Sequence, residues 1–84
     1  MGGPMGQLEK LIEKMRRLPP EMRYEEVARV LEAHGFKEVR SSGSHHVFRH
    51  PDGRMQIVPK HKGQVVKTTY LRQVHKLLEL EEEE

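Results

Sequence analysis

Apolar residues recur along this chain first at helical spacing, then at strand spacing, then at helical spacing again. Leu8, Leu11, Ile12, Met15 and Leu18 fall at i, i+3, i+4 and i+7 intervals with charges between them, which predicts an amphipathic helix over 7–18. Pro19-Pro20 ends it, because proline drives its predecessor out of the helical region. Val27, Val30 and Leu31, with Tyr24 and Ala28, form the apolar side of a second helix over 24–34. Gly35 suits a left-handed cap there, and Phe36 is placed to pack back against the helix.

The period then becomes two. Residues 36–40 and 45–50 read as strands separated by the turn-like Ser41-Ser42-Gly43. Pro51-Asp52-Gly53-Arg54 is a second turn, and 55–58 a third strand closed by Pro59. One sheet face should be apolar, through Phe36, one of Val47 and Phe48, and alternate members of Met55-Gln56-Ile57-Val58. Residues 60–67 read as a basic loop. The last helix spans 69–80, with Thr68 or Thr69 as its N-cap and an apolar stripe of Tyr70 or Leu71, Val74, Leu77 and Leu78. Three strands need helices over one face. The expected fold is therefore an α+β two-layer sandwich of order α-α-β-β-β-α, a single domain over 7–80. Residues 1–6 should be a flexible start and 81–84 an acidic, solubilising tail.

Charge sharpens this picture. The formal net charge is +2, but Glu79 and Glu81 to Glu84 place five acids in the last six residues. From Lys37 to Lys67 seven bases (Lys37, Arg40, Arg49, Arg54, Lys60, Lys62, Lys67) face two acids (Glu38, Asp52). Such a concentrated positive field on a small domain favours a polyanion, RNA or DNA ahead of a membrane surface. The absence of cysteine excludes a disulfide scaffold and thiolate zinc, and fits a reducing cytoplasm. No apolar run approaches a membrane span or a signal-peptide core.

The chain has six histidines, and four of them, His45, His46, His50 and His61, lie within the basic segment. Cutting RNA without a metal requires a base for the 2′-hydroxyl proton, an acid for the departing 5′-oxygen and positive charge at the phosphate. Imidazole exchanges protons near neutral pH. His45, after Gly43 and Ser44 at the mouth of a strand, is the candidate at the phosphate, with Ser44, His46 and His61 as auxiliaries. Arg40, Arg49, Arg54, Lys60, Lys62 and Lys67 are the candidate RNA contacts. His34 and His50 read as structural, and His75 as surface or boundary. Zinc is disfavoured, since His45 and His46 point to opposite faces of a strand and His46 and His50 lie about 13 Å apart along it. Neither a metal nor any other cofactor is expected. A Ser44–His45 hydrolase pair is rejected, because adjacent residues do not readily make a nucleophile–base pair and no third orienting acid is evident.

The set Leu31-Glu-Ala-His-Gly-Phe36, Gly43-Ser-His-His-Val-Phe-Arg-His-Pro-Asp-Gly-Arg54 and Ile57-Val-Pro-Lys-His61, followed by a closing helix, resembles the HicA (YcfA-like) toxins of prokaryotic toxin–antitoxin systems over about residues 21–80. That resemblance implies a fold like a double-stranded-RNA-binding domain and an mRNA-cleaving endoribonuclease. It also places the catalytic histidine after Gly-Ser at His45, a basic surface on Arg49, Arg54, Lys60 and His61, and a HicB antitoxin over the active face. The chain departs from the family pattern in Gly63 to Arg72, in a Leu-Leu-Glu-Leu-Glu ending where members carry Ala-Gly-Leu, and in an added N-terminal helix. The alternative function is a non-catalytic RNA-binding module of the double-stranded type; DNA binding ranks below it, as no helix-turn-helix signature is evident.

Overall fold

The computed structural model describes residues 6–80. The expected flexible start (1–5 of its six residues) and acidic tail (81–84) lie outside the described residues. The elements are α1 (Gln7–Arg16), β1 (Glu21–Arg23), α2 (Tyr24–Ala33), β2 (Lys37–Ser42), β3 (His45–Arg49), β4 (Met55–Pro59), β5 (Val65–Lys67) and α3 (Thr68–Leu77). The expected α+β sandwich is present, with β2-β3-β4 as an antiparallel meander. From α2 onward, a helix, this meander and a closing helix are consistent with a double-stranded-RNA-binding-domain-like fold.

Each helix begins and ends for local reasons. Glu9 and Glu26 reach back to the N-cap amides of Gly6 (2.6 Å) and Arg23 (3.0 Å), satisfying donors that the first turn leaves free. α1 stops at Arg16, two residues before the expected end, because Leu18 takes a left-handed φ of 51° ahead of Pro19. α2 closes as anticipated: Gly35 adopts φ 92°, its amide donates to Glu32 O, and the Phe36 amide donates to Leu31 O (both 3.0 Å). α3 closes the same way on Glu79, whose φ is 56°, with Leu80 donating to His75 O at 3.0 Å. Its N-cap is Lys67 rather than Thr68 or Thr69.

Two further strands correct the expected order. β1 and β5 form a separate antiparallel pair that buries Met22 and Val66 back to back with the helices. Each is three residues long, too short for a period of two to show, so the linker before α2 and part of the basic loop are strand instead. β2 also runs on through Ser42, so the hairpin turns at Gly43-Ser44 rather than over 41–43.

The core lies between the meander and the helices. Phe36, Phe48 and Val58 from the sheet side meet Met15, Val27, Val30, Leu31, Leu71 and Val74, all essentially inaccessible to solvent. Burying side chains of this size stabilises the fold by roughly 1.5–3 kcal/mol each before entropy is counted. Phe48 and Val58 therefore define the inner face. The outer face carries Val47, Ile57 and Met55; the last two, with Val39, are about half exposed. No helix among the described residues is long and apolar enough to cross a membrane.

Candidate RNA-cleavage site

The hairpin β2–β3 places the histidines. His45 is the first residue of β3, opposite Ser42 on one side and Pro59 of β4 on the other. Its side chain is exposed on the outer face, while His46 turns inward, as alternation along a strand requires. The amide of Lys60 donates to Ser44 O at 2.7 Å. That bond, continuing the β3–β4 ladder past its last named pair, docks Pro59-Lys60-His61 against Gly43-Ser44-His45. Two pieces of sequence sixteen residues apart thus meet at one end of the sheet. His61 then forms an isolated bridge with Val65, its ring 6.3 Å from that of Tyr70, and Lys62 follows, exposed, in the turn.

The inner side of the same end holds a polar cluster. His46 Nδ1 lies 2.9 Å from Glu38 Oε2, and the Tyr24 hydroxyl donates to Glu38 Oε1 at 2.8 Å. The Tyr24 ring centroid is 4.5 Å from that of His46. The Lys60 ammonium sits 4.5 Å from the Tyr24 centroid on its face, a cation–π contact. The hydrogen bonds from His46 and from Tyr24 hold the Glu38 carboxyl below its ordinary value, assisted by the charges of His46 and Lys60. Burial, then the hydrogen bond to Glu38 and the charge of that carboxylate, push the Tyr24 phenol well above its ordinary value. Charge counting had registered Glu38 only as an acid diluting the basic segment, and Tyr24 only as part of an apolar stripe.

The remaining candidates are dispersed. Arg40 faces outward opposite Val47, near His45. Arg49 ends β3, four residues or about 13 Å from His45. Arg54 lies beyond it, at the far turn. Its Nε donates to Asp52 at 2.8 Å, its Nη1 donates to Leu77 O at 3.1 Å, and its guanidinium sits 5.2 Å from the Phe36 centroid. Lys67 bonds Glu21 across the β1–β5 pair at 3.2 Å. His50 Nδ1 accepts the Asp52 amide at 3.0 Å, and its ring rests on Phe36 and against Gly35, a structural placement. His75, expected at the surface or boundary, is buried against α1 and lies 3.3 Å from Arg16 O. The arrangement thus brings Ser44, His45, Lys60, His61 and Lys62 to one sheet end, with the side chains of His46 and Lys60 on the inner side. Among the described residues, no group of three histidine or acidic side chains is placed to hold a metal ion.

A family model for the HicA toxin of bacterial toxin–antitoxin systems matches residues 24–80, from the first residue of α2 to the cap of α3. No curated protein and no solved structure matches the chain.

Proposed function

This chain belongs to the HicA toxin family, and from that premise we propose that it is an endoribonuclease that cuts messenger RNA without a metal ion. As a toxin of a toxin–antitoxin pair it has an antitoxin partner; we assign a HicB-type protein to that role and the cytoplasm as the place of action. The observation that carries the reading is the Lys60–Ser44 bond, which sets the chain segment bearing Lys60 and Lys62 beside an exposed imidazole and a hydroxyl at one rim. His45 moves a proton at the scissile phosphodiester. Lys60 and Lys62 hold the backbone and offset the charge that develops on it, and Ser44 adds a hydrogen bond. Arg40 and Arg49 extend the contact along the outer face, and His61 flanks the phosphate. Arg54 and Lys67 are more distant, at the far turn and on the second sheet.

Attack by the 2′-hydroxyl on phosphorus forms the new P–O bond as the bond to the 5′-oxygen breaks. The products are a 2′,3′-cyclic phosphate and a 5′-hydroxyl. Purified protein and a defined RNA in excess EDTA test this: the account expects fragments with those ends. A 3′-hydroxyl with a 5′-phosphate, or cleavage that stops in EDTA, contradicts it. Intact RNA bound with steep salt dependence supports a non-catalytic binding module instead.

A further inference from the structure

Cleavage by this route moves two protons, one off the 2′-hydroxyl and one onto the 5′-oxygen, and His45 accounts for one of them. Among the described residues at this end, the imidazole held in a defined orientation by a carboxylate is His46. An ionised carboxylate can only accept, so Nδ1 of His46 carries the proton shared with Glu38, and Nε2 is the nitrogen left for exchange. The carboxylate is itself fixed by the Tyr24 hydroxyl on its other oxygen. The charged or titratable groups facing His46 are Tyr24 from α2, Glu38 from β2 and Lys60 from the segment after β4. The His46 side chain is 12% exposed, so the ring is braced yet within reach of solvent.

A purely structural role explains this arrangement poorly. A partly exposed ion pair adds at most about 1 kcal/mol to stability. Glu38 also reaches the inner face only because of an irregularity. The β2–β3 register shifts between Glu38 and Arg40, which leaves Val39 bulged outward. Without that bulge Glu38 would stand opposite Arg49 on the outer face. Bulges re-aim side chains in this way, often beside active sites.

We propose, resting on the endoribonuclease reading, that His46 is the second proton-transfer residue of the cleavage reaction and that Glu38 is its positioning residue. The scissile phosphate lies across the hairpin end at Gly43-Ser44, between His45 of the outer face and His46 of the inner. One imidazole takes the 2′-hydroxyl proton and the other gives a proton to the 5′-oxygen, so the protons balance without a co-reactant.

The test compares kcat and KM of wild type, His46→Gln, Glu38→Gln and Tyr24→Phe on a defined RNA, with thermal melting of each. His46→Gln is expected to lose about a hundredfold or more in kcat, the range for a proton-transfer group. Glu38→Gln should lose about tenfold in kcat with KM unchanged, because the imidazole is then no longer held by a carboxylate. Tyr24→Phe, which keeps the ring and removes only the hydroxyl, should lower kcat in the same way by less. If Glu38→Gln and His46→Gln cleave within twofold of wild type while His45→Ala is inactive, the inference is overturned and the endoribonuclease reading stands. Activity that falls only in step with melting temperature, or a loss carried by KM with kcat unchanged, also overturns it. A wild-type chain that cuts no RNA overturns both.

Discussion

The amide of Lys60 and the carbonyl of Ser44 lie 2.7 Å apart. This single backbone bond joins the Gly-Ser-His turn to the Pro-Lys-His segment. It makes the basic residues after β4 neighbours of His45, and leaves those at the opposite turn outside the site. Charge at this end is then left facing solvent beside His45, while Arg54 at the other end is bonded within the fold.

Lys62 and Arg54 separate these two kinds of charge. Lys62→Gln should weaken RNA binding about uniformly across sequences and reduce the slope of log affinity against log salt by about one, with melting unchanged. Arg54→Gln should instead lower stability by about 1–2 kcal/mol, since it removes the bond to Leu77 O, the bond to Asp52 and the contact with Phe36. Salt-dependent binding assays and denaturant melts on both variants check the assignment.

Glu79 holds a left-handed conformation that costs a residue with a Cβ about 1–2 kcal/mol and that glycine adopts freely at the end of a helix. Its side chain is exposed, so nothing in the packing requires glutamate. Glu79→Gly is expected to stabilise the fold by about 1 kcal/mol and raise Tm by about 4–8 °C. Calorimetry reads this directly.

Glu38 makes stability pH-dependent in acid. Its carboxyl is held low in the folded chain, chiefly by the hydrogen bond from His46, so the unfolded chain binds a proton first as pH falls. The contribution is complete above the ordinary carboxylate value, about 4.3, and is lost as pH drops through the depressed one. Denaturant midpoints for wild type and Glu38→Gln should therefore differ near pH 6 and converge towards pH 2.

Much of this was legible in the residues. Gly35 before Phe36 announced the end of α2, because only a left-handed cap lets Phe36 turn back into the core. The alternation His45–Arg49 and Met55–Val58 announced two strands, and it correctly sent His45 and His46 to opposite faces. What escaped were features without a local signature. The β1–β5 pair is too short to show a period, and its contacts span more than forty residues. The bulge at Val39 breaks the alternation within β2: counted from Phe36, Glu38 and Arg40 would share the inner face, whereas Arg40 lies on the outer one. The long helical estimates failed at ends where Leu18 and Glu79 adopt positive φ, a conformation neither side chain advertises. Lys67 has its partner, Glu21, far off in the chain; Leu77 O is likewise distant from Arg54, whose other partner, Asp52, is two residues away.

Cleavage of one defined RNA in EDTA by wild type and by His45→Ala, with both proteins shown folded by their melts, tests the central claim most directly. The account predicts 2′,3′-cyclic phosphate and 5′-hydroxyl ends from wild type and a loss of about a hundredfold or more in rate for the variant. A folded His45→Ala protein that cuts at the wild-type rate would contradict it.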